Sequence, residues 1–283
     1  MKALRNYLDK IKPRFREGGK LEKFHSTFDA LETFLFVPDK TTFKGSHIRD
    51  HIDLKRTMTV VILALVPSLL FGIWNVGFQH FRSLGQDAGF WQLVGFGLVR
   101  VLPIVVVSYV SGLAVEFAFA QYRKHEVNEG FLVSGMLIPL VMPPDIPLWM
   151  VAVSTVFAVI LGKEAFGGTG MNVFNPALLA RAFLFFAYPA SMTGDTIWTA
   201  GLASGKGVVD GFSGATPLSN AAAEAIDKIP PITDLFFGFI PGSIGETSKL
   251  AILIGAVILI LTGIGSWRIM LSGLLGGVTM TLI

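Results

Sequence analysis

The 283-residue sequence has no cysteine, and only 15% of its residues are charged. The first absence excludes disulfides, thiolate zinc sites, cysteine-ligated iron–sulfur clusters, attached c-type haem and a thiol nucleophile. The second excludes an ordinary soluble globule, in which about a quarter of residues are charged. Apolar residues take the place of charge: 52% are hydrophobic, and the mean hydropathy is +0.62. The cations that remain are unevenly placed. Residues 1–56 hold 13 of the 23 Lys and Arg against 8 Asp and Glu, a net +5, whereas the other 227 residues carry a net −2. A nucleic-acid binder needs its positive charge on a folded face. A basic arm followed by an apolar chain is instead the pattern of a membrane protein, with no nucleic-acid partner.

A spanning helix needs about 20 mostly apolar residues. Residues 57–78 are uncharged, and 101–120 are interrupted only by Glu116. Residues 90–99 are too short to span alone and are expected along the membrane surface, ending at Arg100. Residues 131–142, 146–162 and 174–190 are short, and are separated or entered by Pro143-Pro144-Asp145, Gly167-Gly168-Thr169-Gly170 and Asn175-Pro176. Interrupted apolar segments of this kind mark broken or re-entrant helices that line a site inside a membrane protein. A polar stretch, 191–247, precedes two further apolar runs, 250–264 and 269–283. The expected fold is therefore all-α, a polytopic transmembrane helical protein with broken or re-entrant helices. Its parts are an arm (1–56), a first transmembrane unit (57–190), a loop (191–247) and the start of a second unit (248–283). Counting Lys and Arg puts the arm in the cytoplasm and the 191–247 loop outside, with Lys206 and Lys228 its only cations. Arg82 and Arg100 run against that count.

Soluble-enzyme motifs find no home here. Residues 201–207 lack the spacing of a phosphate-binding loop, and His125-Glu126-Val127-Asn128-Glu129 lacks the second histidine of a zincin helix. No glycine fingerprint for a dinucleotide follows a strand. His80 and His125 fall on opposite sides of the membrane, so no pair for a haem is evident. No catalytic acid, base, nucleophile or metal site is expected.

Three sites remain. In Asp210-Gly211-Phe212-Ser213-Gly214-Ala215-Thr216, small residues leave the Thr216 hydroxyl open to a modifying enzyme, and Asp210 is placed to help hold a Mg²⁺ during transfer. On local chemistry the same residues read first as an ordinary Gly-Ser turn ending in a loop threonine. Asn175 before Pro176 is a helix-start signal, and Asn172 and Asn175 carry donors and acceptors suited to polar ligand groups at membrane depth. Plain capping also accounts for them. Glu116 in an apolar span is a functional candidate, or a carboxylate that snorkels or pairs close to Arg123. Trp198, Phe212, Phe236 and Phe237 could pack on a flat ring system or anchor at the interface.

The motif ending in Thr216 resembles the flavinylation signature of membrane flavoproteins. Together with Lys163-Glu164-Ala165-Phe166-Gly167-Gly168-Thr169-Gly170, Asn175-Pro176-Ala177-Leu178, and residues 46–50, 53–56, 123–130, 181–189 and 241–246, it resembles the B-type subunit of the Na⁺-translocating NADH:quinone reductase family. The resemblance implies FMN joined to Thr216 as a phosphoester by a flavin transferase. It also implies non-covalent riboflavin near Asn172 and Asn175, a role for Glu116 in sodium uptake, and quinone access near Gly112. Leu113 replaces the second glycine of that last motif. The implied partners are the other subunits of the six-subunit complex, ubiquinone and Na⁺, in the bacterial inner membrane with Thr216 periplasmic. Family members have roughly ten spans in two inverted repeats. The chain would then hold the first repeat and the start of the second, and is expected to be unstable alone. The D-type subunit of an Rnf-type ferredoxin:NAD⁺ complex is the neighbouring alternative, which the basic arm disfavours. A small-solute transporter without redox chemistry is the alternative of another class.

Overall fold

The computed structural model describes residues 2–15, 52–123, 130–205, 208–209 and 212–283, with scattered positions of the arm between 19 and 48. Among these residues every regular element is helical. The arm contributes α1 (Lys2–Ile11). The apolar chain follows as α2 (Leu54–Ser83), α3 (Phe90–Arg123), α4 (Phe131–Leu140), α5 (Leu148–Gly162) and α6 (Pro176–Ala187). Two six-residue helices, α7 (Pro217–Ala222) and α8 (Ile232–Phe237), precede α9 (Lys249–Leu261) and α10 (Trp267–Leu282).

Polar residues face inward. α2 buries Ser68, Asn75, Gln79 and Ser83 while Leu63 and Leu70 are exposed; α3 buries Ser108 and Glu116 while Leu102, Val106 and Val110 are exposed. A helix on a soluble protein does the reverse. In lipid the outer face meets a medium as apolar as itself, and polar groups must be satisfied inside the bundle. Three helical segments, Leu54–Ser83, Phe90–Arg123 and Leu148–Phe166, are long and apolar enough to cross a membrane. The chain is a multi-pass membrane protein.

Residues 90–99 do not form a separate surface segment. They begin α3, one 34-residue helix, about 51 Å long at 1.5 Å per residue. Arg100 does not end it, because the side chain finds Asp145 at 3.4 Å and lies 5.5 Å from the Phe96 ring centre. Pro103 removes only one backbone donor. Where α2 meets α3, glycines let the backbones touch. A Cβ on Gly97 would lie 1.8 Å from the Ile73 carbonyl oxygen, and one on Gly77 would lie 2.1 Å from that of Leu93. Close backbone packing of this kind holds helices together in lipid.

α4 runs antiparallel to α3, with the Phe131 ring over Gly112 and the Ser108 hydroxyl donating to the Gly135 carbonyl at 3.0 Å. α5 returns from the Arg100–Asp145 pair at one end to the Glu116–Lys163 pair at the other. α6 is antiparallel to α5: Phe183 stacks on Phe157 at 4.3 Å, and Tyr188 meets Trp149 edge-on at 5.3 Å. With 10 and 12 residues, α4 and α6 are about 15 and 18 Å long, short of a core about 30 Å thick.

Helix ends that stop inside a bundle leave carbonyl groups that need donors. The polar stretch supplies them. Its residues 240–246 thread between α2 and α4. The Ile244 N–H donates to the Met142 carbonyl at 3.2 Å, the Gly245 N–H to that of Leu140 at 2.8 Å, and Arg181 of α6 to that of Val141 at 3.0 Å. The Asn75 amide of α2 donates to the Ile240 carbonyl at 3.0 Å. The loop expected over 191–247 thus ends in a re-entrant segment.

Candidate functional site

Thr216 is the N-cap of α7. Its Oγ1 accepts the Ser219 N–H at 3.2 Å, and Pro217 takes the first helical position. Ser213 is exposed, with Oγ accepting from the Ala215 N–H at 3.3 Å, and Ala215 is buried. Gly214 is buried as well, and a Cβ there would lie 2.3 Å from the Asp195 carbonyl oxygen. The Asp195 carboxylate also accepts the Ser219 hydroxyl at 3.1 Å. Thr216 is half-buried between pinned neighbours. Asp210 and Gly211 lie outside the described residues.

This platform is tied to one end of the bundle. The Val209 N–H donates to the Ser83 carbonyl at 3.0 Å, His80 Nδ1 donates to the Ala200 carbonyl at 2.7 Å, and the Gly201 N–H donates to Asp145. The His80 ring stacks on Phe96 at 3.9 Å, with planes 7° apart. Phe236 and Phe237 are partly exposed, and Phe237 stacks with Phe239 at 6.0 Å beside Trp74 and Phe78 of α2.

At the opposite end of α6, Asn175 is the N-cap, Oδ1 accepting the Ala177 and Leu178 N–H groups at 2.9 and 3.4 Å. Asn172 Nδ2 donates to the Phe174 carbonyl at 3.0 Å. Each asparagine commits one polar atom to the turn. Among the described residues, Asn175 Nδ2 and Asn172 Oδ1 make no hydrogen bond. Met171, Val173, Phe174 and Leu178 are exposed around them. An apolar rim with uncommitted amide atoms fits a flavin ring, whose faces are apolar and whose edges are polar.

Glu116 neither snorkels nor pairs with Arg123. Lys163 Nζ donates to its Oε1, while Oε2 is buried with no hydrogen-bond partner among the described residues. Arg123 instead donates to the Glu164 carboxylate at 3.2 Å and to its backbone carbonyl at 2.7 Å. One turn before Glu116 on α3, Gly112 seats the Phe131 ring, and a Cβ there would lie 1.9 Å from that ring.

Two of these arrangements escape sequence reasoning. Lys163 reads there only as a cation, although a lysine closing an apolar run requires an anion if it is buried. Arg181 reads as a charge inside an apolar run without its partners, which are the Val141 carbonyl, the Ser243 hydroxyl at 3.3 Å and Glu246 at 3.1 Å.

A bundle with a polar interior, half-helices that end within it and a pinned threonine loop defines a membrane protein built around internal sites. A family model described as the NQR2, RnfD, RnfE family matches residues 41–283, and the chain belongs to that family. Within it, the chain is similar to proteins named as the B-type subunit of the Na(+)-translocating NADH-quinone reductase. It is 45% identical to that of Ectopseudomonas mendocina, over 99% of this chain and 74% of the relative. The Pseudomonas aeruginosa protein is also 45% identical, and that of Azotobacter vinelandii 44%, with the same coverage.

Proposed function

We propose that the chain is the B-type membrane subunit of a Na⁺-translocating NADH:quinone reductase, in the bacterial inner membrane, with a cytoplasmic arm and a periplasmic Thr216 loop. In this reading FMN is carried on Thr216, riboflavin sits beside Asn172 and Asn175, ubiquinone approaches near Gly112, and Na⁺ enters by way of Glu116. The other subunits deliver electrons that originate on NADH. Bound flavin supplies the redox chemistry, and the protein supplies placement and tuning.

Loading by a flavin transferase makes a bond between Thr216 Oγ1 and the FMN phosphorus of FAD while the bond to AMP breaks, and the hydroxyl proton leaves with AMP. The capping bond survives this exchange, since Oγ1 accepts from Ser219 and an ester oxygen still accepts. Of the small residues before it, Ser213 is exposed and adds little bulk beside the approach. An electron crossing a core about 30 Å thick needs an intermediate position. α6, about 18 Å long, separates the Asn172–Asn175 turn from the end at which the Thr216 loop begins.

The observation that carries this reading is the half-buried Thr216 at the N-cap of α7 on a tethered loop, in a chain 45% identical to proteins of that name. Mass spectrometry of the Thr216 peptide, from cells that contain a flavin transferase, tests it. FMN less one water is expected, together with a fluorescent band on a denaturing gel that Thr216→Ala abolishes. An unmodified peptide and a dark wild-type band would instead favour a transporter without redox chemistry.

A further inference from the structure

Four charged groups meet where α3 and α5 end: Glu116, Lys163, Glu164 and Arg123. The side chains of Glu116 and Lys163 are each only 4% exposed, and that of Glu164 is 6% exposed. Their formal charges cancel. Lys163 holds Glu116 Oε1, Arg123 holds Glu164, and Glu116 Oε2 is buried with no partner among the described residues. A carboxylate with one oxygen engaged and one unengaged has capacity for a second cation. A monovalent ion added beside Lys163, however, would leave net positive charge in a poorly solvated site, which is unfavourable. The ion and the ammonium therefore exclude each other unless Lys163 moves.

The backbone around Lys163 allows that movement. Lys163 is not inside a helix. It caps α5 at φ −126° and ψ −62°, and a three-residue turn and then Gly167, Gly168 and Gly170, all at positive φ, follow it. The adjacent Glu164 offers a second carboxylate for a displaced ammonium.

Resting on the reading of Glu116 as the cation route, we propose that Lys163 is a built-in competitor for that route. Its ammonium occupies the Glu116 carboxylate until Na⁺ displaces it, so Lys163 sets the Na⁺ concentration at which Glu116 fills. The test is the Na⁺ concentration that half-saturates NADH-driven quinone reduction by the assembled complex in proteoliposomes. Lys163→Gln lowers that concentration about tenfold, the direction and scale of removing a unit charge beside a carboxylate. Lys163→Arg, which restores the charge, returns it toward the wild-type value. A purely structural role would reduce yield or turnover and leave half-saturation where it is.

Lys163→Gln leaves Glu116 buried and unpaired. Should that variant not assemble, Lys163→His keeps a donor for the Glu116 carboxylate but makes the charge titratable, and its half-saturating Na⁺ falls, relative to the wild type, as the pH is raised through the imidazole range, about 6.5. Equal values within the comparison made overturn the proposal and leave the reductase reading intact. A wild-type complex that reduces no quinone with NADH overturns both.

Discussion

Arg181 joins three interrupted segments through one guanidinium. It caps the Val141 carbonyl beyond the end of α4 and reaches Ser243 and Glu246 of the re-entrant segment. A cation at a helix C-terminus also complements the helix dipole. The Glu246 side chain is 51% exposed, so the ion pair itself contributes little. The larger contribution comes from the capped carbonyl. Arg181→Leu leaves that carbonyl without a side-chain donor, at a cost of about 1–3 kcal/mol. The expected outcome is a thermal unfolding midpoint lowered by several degrees in detergent, with Arg181→Lys intermediate. An unchanged midpoint for Arg181→Leu would place the capping elsewhere. From the sequence Arg181 is legible as a costly charge within an apolar run, but its partners lie 40, 62 and 65 residues away. No local pattern identifies them. Asn175 is the opposite case: capping is a local bond to the next two or three residues, and Asn-Pro announces it in advance.

Among the elements, the contact between α2 and α3 depends on the absence of side chains. Gly97 sits against the Ile73 backbone and Gly77 against that of Leu93. The obstructing atoms are carbonyls, which cannot rotate aside as a side chain does. Gly97→Val must therefore push the helices apart, with a loss of roughly 1–3 kcal/mol. Lower yield of folded protein in detergent and earlier aggregation on heating are the readouts. Wild-type behaviour would mean that the two helices are free to separate at this point. A second contact across the fold explains why residues 90–99 read as a detached segment. Arg100 looks like a terminus because Asp145, its neutralising partner, comes from the turn between α4 and α5. Hydropathy sees length and charge along the chain and not the partner across it. Apolar runs and their interruptions are legible for the same reason: they are local. The re-entrant course of residues 240–246 is not, since those residues are placed by hydrogen bonds to Leu140, Met142 and Asn75.

For the molecule as a whole, the arrangement of charge fixes an alternation that the lack of cysteine makes simple to test. Arg123 meets Glu164 at one end of the bundle, and Arg100 meets Asp145 toward the other. The chain thus reverses direction at each step from α2 to α6, although α4 and α6 are short. Five successive reversing helices put the arm and the Thr216 loop on opposite sides. In the orientation proposed above, the arm with its net +5 is the cytoplasmic side. Because the sequence contains no cysteine, single substitutions can be labelled without background. A membrane-impermeant maleimide applied to spheroplasts is expected to label Ile226→Cys, at an exposed position of the loop. Ser46→Cys in the arm should label only after permeabilisation. Ser243→Cys should resist labelling in both conditions, because Ser243 is buried in the re-entrant segment at 3% exposure. Labelling of the arm in intact spheroplasts, with the loop protected, would invert the orientation. Equal labelling of arm and loop from one side would break the alternation. Rapid labelling at position 243 would remove the re-entrant segment from the bundle, and with it the donors that let α4 end there.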